Sequence, residues 1–442
     1  MIGLVARMLV VALAVSACGR LPSPGAVNPR AEALEPAERP SPSEVLATCL
    51  DPASAGQDPL PAGDAAAQIA EITARVEELR ELRFGGRAVT PEFVSRLEIS
   101  RRVAATLERG YSPEEADADR RIYSTFGAVP PDIDLRVTAA RLVAGGTVGF
   151  YDPESDQLVV ATRDREAPLG PREQSILAHE LTHAVVDAAF GLPLPRELIA
   201  NGTGDASLAA LALVEGDAVL VERRFTQSGI PGADLASAEI GVPAGVPYVL
   251  NAAVRFPYVY GAAFACVLFR EGGFPAVDAA YGDPPTTTAQ VLFPERYLAR
   301  EPAADPRDLA MLPAPWQRGP TDTFGAADLL WLFEAPGDEE AAALDDPLGS
   351  AFDWAGGEVQ LWTDGPRSAV GVALVDRGAG ELCDAVSDWY EAAFPDDERV
   401  DTGIGEVLAR DGATQDAVLR CGGAEVRLGI APDLATARAL AA

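Results

Sequence analysis

From Ala65 onward, apolar residues fall at three- and four-residue steps, with Ile69, Ile72, Val76 and Leu79 lining one face of "AAAQIAEITARVEELREL". That period predicts an amphipathic helix. Further helices are predicted to start near Pro91 and near Pro113, whereas Asp132 to Leu142 carries no clear period. The pattern then switches. In "GTVGFYDPESDQLVVAT" apolar residues flank a Pro-Glu-Ser-Asp turn, which predicts a β-hairpin over 147–161. Pro171 to Phe190 predicts a strong helix, because proline at the first helical position sacrifices no hydrogen bond and Gly191 suits the end. A second long helix is predicted from about Ala206 to Arg224, capped by Asp205 and stopped at Ser228-Gly229. Shorter helices are expected at 261–272 and 275–281.

After about residue 320 the character changes again. "EVQLWTD" and "SAVGVALVD" read as paired strands, "GELCDAVSDWYEAAF" as a helix, "DAVLRCGG" and "AEVRLGIA" as a second strand pair, and "DLATARALA" as a closing short helix. The expected fold class is therefore α+β. A mainly helical body with a small β-hairpin or sheet spans 63–315, and a small C-terminal α+β accessory region spans 320–442.

The N-terminus follows another logic. Arg7 is the sole charge in the first 17 residues, an apolar run from Met8 to Val15 follows, and the small residues Ser16 and Ala17 lead to Cys18. Residues 1–17 thus read as a secretory signal, too short to span a membrane stably. The terminal cysteine resembles a bacterial lipobox, which implies cleavage before Cys18 and a lipid anchor on its sulfur; the alternative is an ordinary signal with a chance cysteine. Residues 18–62, rich in Pro, Ala, Glu and Ser, read as a flexible tether. No later run is expected to span a membrane. The expected location is the extracytoplasmic face of the cell membrane.

Composition narrows the partners. A net charge of -32 over 442 residues argues against nucleic acid. All 35 basic residues are arginine, which fits a compositional bias of the genome. Apart from Cys18, four cysteines remain, enough for two disulfides in an oxidising compartment. Cys383 with Cys421 is the preferred pair, leaving Cys49 with Cys266. None has the spacing of a zinc-binding cysteine cluster.

The chemistry concentrates in His179-Glu180-Leu181-Thr182-His183, which holds the chain's 2 histidines. Four residues apart on a helix, they lie about 40° apart around its axis and can reach one metal ion from the same face. Glu180 between them is placed to take a proton from an activated water. This is the HExxH arrangement of two zinc ligands and a general base. A third protein ligand must be a carboxylate, since no other histidine exists. Glu215, on an apolar face of the next helix, is the best candidate, with Glu222 on the same face and Asp187 four residues past His183 as rivals.

"HELTHAVVD" followed by "ALVEGDAVLVE" resembles the thermolysin-like gluzincins, and still more a group of bacterial and archaeal secreted proteins that carry HELTHAL-x-D on one helix and ALVEGDA on the next. The similarity extends over about 65 to 300, through "GFYDPESDQLVV", "FPYVYGAAF", "EGGFPAVDAAY" and "PPTTTAQVLFPERYL". The resemblance implies a zincin-like metallopeptidase body, with His179, His183 and Glu215 as Zn2+ ligands, Glu180 as general base and Asp187 as an acid supporting the ligands, accepting from His183 or a nearby backbone group. Asp217, in the "EGDA" motif, has an open role and should face elsewhere on the helix. Two departures stand out. Phe293 occupies a position where the group often has histidine, and no histidine remains to stabilise an oxyanion. Tyr258 is the preferred substitute donor, with Tyr260 and Arg255 as alternates and aromatic packing as the plain reading of Tyr258. By the same resemblance, Gly149-Phe150-Tyr151 offers a strand edge for an extended peptide, or is simply structural.

The leading expectation is a membrane-anchored, zinc-dependent peptidase acting on a peptide or protein substrate. The alternative is a zinc-containing binding or assembly lipoprotein with little turnover, and a purely structural envelope protein is a weaker third.

Overall fold

The computed structural model describes residues 39–442 apart from positions 52, 54–55, 88, 163, 165–166, 193–202, 230–243 and 379, together with the backbone of Ser16–Ala17 (β1). Cys18, most of the signal segment and residues 19–38 of the expected tether lie outside the described residues.

Helices α1 (Pro42–Ala47) and α2 (Ala65–Arg80) precede strand β2 (Pro91–Val94) and helices α3 (Arg96–Gly110), α4 (Pro113–Thr125) and α5 (Leu135–Gly146). The hairpin β3 (Thr147–Asp152) and β4 (Gln157–Ala161) leads into α6 (Pro171–Phe190), α7 (Gly204–Gly229), α8 (Tyr248–Gly272), α9 (Phe274–Gly282), α10 (Thr288–Leu292) and α11 (Pro294–Leu298). The C-terminal part runs β5 (Gln317–Thr323), α12 (Ala326–Glu334), α13 (Pro347–Phe352), β6 (Trp354–Asp364), β7 (Arg367–Asp376), α14 (Glu381–Ala393), β8 (Glu398–Arg399), β9 (Glu406–Asp411), β10 (Asp416–Gly422), β11 (Glu425–Ala431) and α15 (Leu434–Leu440). The fold is α+β, with about 52% helix against 17% strand.

Local chemistry explains where the elements depart from the periodicity. Pro91 opens a strand rather than a helix: Pro91–Val94 runs parallel to β4, and α3 begins only after Ser95, whose hydroxyl accepts from the Glu98 N–H. The patternless stretch near Asp132 becomes α5 because Asp134 caps it, accepting from the Val137 N–H at 3.0 Å. The 261–272 helix extends back to Tyr248 and runs through Pro257, which reads locally as a break. By length and apolarity α8 could cross a membrane, contrary to expectation, yet 67% of its most apolar window is buried within the fold. It is a core helix.

The second half of the expected tether is not free. Ser41 and Glu44 form a capping box on α1, and Cys49–Cys266 bonds this segment to α8. The backbone N–H groups of Gly56 and Asp58 donate to Gln227 and Ser228 at 3.0 Å each. From Arg39, which pairs with Glu295, the described part of the tether expected to run to residue 62 is instead packed on the body. The second disulfide joins Cys383 to Cys421, so both pairs form as expected.

Two sheets organise the strands. The first has the order β1-β3-β4-β2, and β3 packs its buried residues on α6. The second is seven-stranded, ordered β5-β6-β7-β11-β10-β9-β8 and antiparallel throughout. Its period-2 alternation sends Val370, Val372 and Leu374 to one face and Ala369 to the other. α15 covers the second face through Ala437 and Leu440. The first face shares one continuous core with the helices, from Leu211 and Phe264 to Trp331 and Val372. No break in that core coincides with residue 320, and β5 begins before it.

One buried acidic pair gives the fold a pH dependence. Asp205, at the start of α7, accepts from the Thr288 N–H at 3.1 Å and from the Thr288 hydroxyl. Burial raises its carboxyl to about 6 against the pull of those bonds, and burial plus the charge of Asp205 pushes Asp328 on α12 well up. A carboxyl raised in the fold holds its proton more tightly there than in the unfolded chain. Its contribution to stability is complete below about pH 4 and is lost as pH rises through about 6. Denaturant midpoints should fall across that window, and Asp205→Asn should flatten the fall. An equally steep fall in the variant would exclude Asp205 as its source.

Candidate metal centre

Helix α6 forms where Gly170 and Pro171 start it: the Gly170 N–H donates to the Glu173 carboxylate at 2.7 Å, and Pro171 needs no partner. His179 and His183 then stand one turn apart, their Nε2 atoms 3.0 Å from each other. From α7, Glu215 places Oε2 3.2 Å from His179 Nε2 and 3.4 Å from His183 Nε2. Three lone-pair donors thus converge on one point. In a tetrahedral site with bonds of about 2.0–2.1 Å, ligand atoms stand about 3.3 Å apart, so the spacing fits a bound metal ion. His179, His183 and Glu215 form a group that could hold one.

The approach of α7 to α6 depends on small residues behind it. A Cβ on Gly216 would overlap the Gly261 carbonyl of α8, and one on Gly261 would overlap the Ala212 carbonyl of α7. The two backbones touch at the residue next to Glu215, which fixes where its carboxylate lies. The same crossing puts the Tyr258 ring 6.4 Å from the His179 ring, tilted by 30°. The alternates lie elsewhere. Tyr260 packs on Phe256 at 5.4 Å, and its phenol is pushed up by burial and by Glu334, with Arg255 opposing that shift.

Glu180 points to β3. The Cβ of any residue replacing Gly149 would stand 2.6 Å from Ile176 Cγ2 and 3.1 Å from Glu180 Oε1. Gly149 therefore lets the strand backbone pass directly over the carboxylate. The periodicity offered no reason for a glycine there.

The rival ligands resolve by geometry. Glu222 reaches His179 from behind, with Oε2 3.2 Å from Nδ1, the nitrogen facing away from the convergence point. Asp187 accepts from Arg87 at 3.0 Å, the Tyr151 hydroxyl at 2.8 Å and the Leu192 N–H at 2.7 Å. It meets the expected backbone group but braces the end of α6 against the hairpin rather than His183. Asp217 faces away from the cluster as expected: it pairs with Arg80 at 2.9 Å and accepts from the Tyr281 hydroxyl at 2.9 Å. Phe293 is packed on Phe352 at 5.0 Å beneath the guanidinium groups of Arg39 and Arg296.

The electrostatics favour a cation. His179, Glu180, His183 and Glu215 are 3%, 0%, 2% and 1% exposed, so water screens little of their interaction. Burial opposes charge on His179, but the Glu215, Glu222 and Glu180 carboxylates outweigh it and raise the imidazole to about 10. Burial likewise opposes charge on Glu215 and Glu222, yet His183 and His179 hold Glu215 low, and His179, with Arg223 and Ser175, holds Glu222 at about 2. A site that pulls so strongly on a proton also attracts a divalent ion. No protein-family model, curated protein or solved structure matches the chain.

Proposed function

We propose that this chain is a zinc-dependent peptidase with a zincin-like body of the gluzincin type, held at the extracytoplasmic membrane face through Cys18. The observation that carries the reading is the convergence of His179 Nε2, His183 Nε2 and Glu215 Oε2 within 3.0 to 3.4 Å, with Glu180 on the same helix. Two imidazoles and one carboxylate in tetrahedral spacing suit zinc and leave a fourth position for water or substrate. Held by His179, His183 and Glu215, zinc would supply Lewis acidity toward a peptide carbonyl and a water near neutral pH. Glu180 takes the proton from the attacking water and passes it to the leaving amine. Tyr258, beside His179, donates toward the developing oxyanion.

The outer edge of β3 aligns an extended peptide next to Glu180. The chain's own Ser16–Ala17 pairs antiparallel on that edge, with Ser16 opposite Gly149, which supports this role. Two disulfides support an oxidising compartment. In this reading 1–17 is the leader, 63–315 the peptidase body and 320–442 an accessory region.

One observation favours the alternative of a zinc-containing binding or assembly lipoprotein: the whole cluster is buried. Protein purified without chelators should carry one zinc per chain and cleave members of a peptide library. Chelation should abolish cleavage and added zinc restore it. Bound zinc without any cleavage would favour the binding reading, and a folded protein unable to take up metal would sink both.

A further inference from the structure

The metal ligands sit in a polar seam between α6 and α7 that extends past the metal position. Glu222 uses both carboxylate oxygens there. Oε2 stands 3.2 Å from His179 Nδ1, and Oε1 accepts from the Ser175 hydroxyl at 2.6 Å. Ser175 Oγ in turn lies 3.2 Å from Thr226 Oγ1. Ser175 is one helical turn before His179, and Thr226 is one turn after Glu222. Glu222 is 5% exposed, so its interactions act in a water-poor setting.

We propose that Glu222, locked by Ser175, is a positioning residue that fixes the tautomer and ring orientation of His179 for metal binding. The inference rests on the metal-binding reading of His179, His183 and Glu215. The physical reason is the two-nitrogen logic of imidazole. A neutral ring carries one N–H and one lone pair. A carboxylate facing Nδ1 retains the proton there and leaves the Nε2 lone pair directed at the point where His183 Nε2 and Glu215 Oε2 converge. The same contact stops the ring from flipping and raises its basicity as a ligand. Ser175 holds the carboxylate in the rotamer that does this, so two residues outside the HExxH motif set the aim of its first histidine.

The test loads wild type, Glu222→Gln, Glu222→Asp and Ser175→Ala with Co2+. It measures the dissociation constant by chelator competition and records the visible ligand-field absorption. Glu222→Gln is expected to weaken cobalt binding by about 10- to 100-fold and to shift the absorption bands. Ser175→Ala should produce a smaller loss in the same direction, and Glu222→Asp should recover part of the affinity. A purely structural tie between helices would lower the unfolding midpoint and leave both the spectrum and the affinity of the folded protein as in wild type; that result would overturn the proposal. If Glu222→Gln does not fold, Ser175→Ala decides: a wild-type spectrum and affinity there overturn it. Wild type that binds no cobalt overturns the metal reading itself, and with it the role of Glu222.

Discussion

Glu180→Gln is expected to retain its full complement of zinc and to lower kcat for peptide cleavage by about 100- to 10,000-fold. The substitution keeps the shape of the side chain and removes only its capacity to take a proton. His179, His183 and Glu215, the group that could hold the metal, are untouched. The amide is close to the carboxylate in size and lies under β3 at Gly149, whose missing Cβ leaves the approach to Glu180 Oε1 open. Affinity for substrate should therefore change little, and the loss should fall on kcat, as for an interaction made only in the transition state. The measurement is kcat and KM for a cleaved peptide at matched zinc content. Equal kcat in the two proteins would remove Glu180 as the base and leave a metal site without this chemistry. A variant that loses zinc would instead place Glu180 among the groups that hold the ion.

The two histidines, their intervening glutamate and the helix that carries them were legible because spacing and capping are local properties. Periodicity alone does not separate Glu215 from Glu222; in the sequence only the resemblance of the "ALVEGDA" motif favours Glu215. Both acids lie on one face of α7, seven residues apart, and either could point at α6. What separates them is the helix crossing. It brings Glu215 to the Nε2 side of His179 and Glu222 to the Nδ1 side. Behind that crossing α7 lies backbone to backbone on α8 at Gly216 and Gly261, a contact that no periodicity reveals. Long-range partners also account for the other misses. Pro91–Val94 is a strand because β4 lies beside it, and the segment after Arg39 is ordered because Cys49 finds Cys266. The N-terminal half of α8 is helical through Pro257 because α7 and α12 pack around it, with Phe256 against Trp331 at 6.1 Å.

Asp217→Ala is expected to destabilise the protein by about 3–5 kcal/mol, the cost of leaving a buried charge without its partner. Arg80 and Asp217 are both fully buried and 2.9 Å apart, joining α2 to α7. Arg80 also reaches Asp278 on α9 at 2.5 Å, and Tyr281 donates to Asp217, so one ionic node ties three helices. Without Asp217 the guanidinium keeps Asp278, which is partly exposed and therefore a weaker counter-charge, and its contact with the Phe274 ring at 4.6 Å. The sign of the argument can be checked with a pair. Replacing Arg80 by Met and Asp217 by Leu together removes both charges and leaves apolar volume in their place. The double variant should be much closer to wild type than Asp217→Ala, because a buried ion pair repays little beyond its own desolvation. Denaturant midpoints for the single and double variants measure the coupling. A double variant as unstable as the single one would mean that the node contributes geometry that packing cannot replace. Cobalt affinity of the folded single variant should remain within a few-fold of wild type, since Asp217 faces away from Glu215's carboxylate. The consecutive residues Glu215, Gly216 and Asp217 then divide one helix turn into three tasks on three faces: the proposed metal donor, a close helix contact and a buried ionic node.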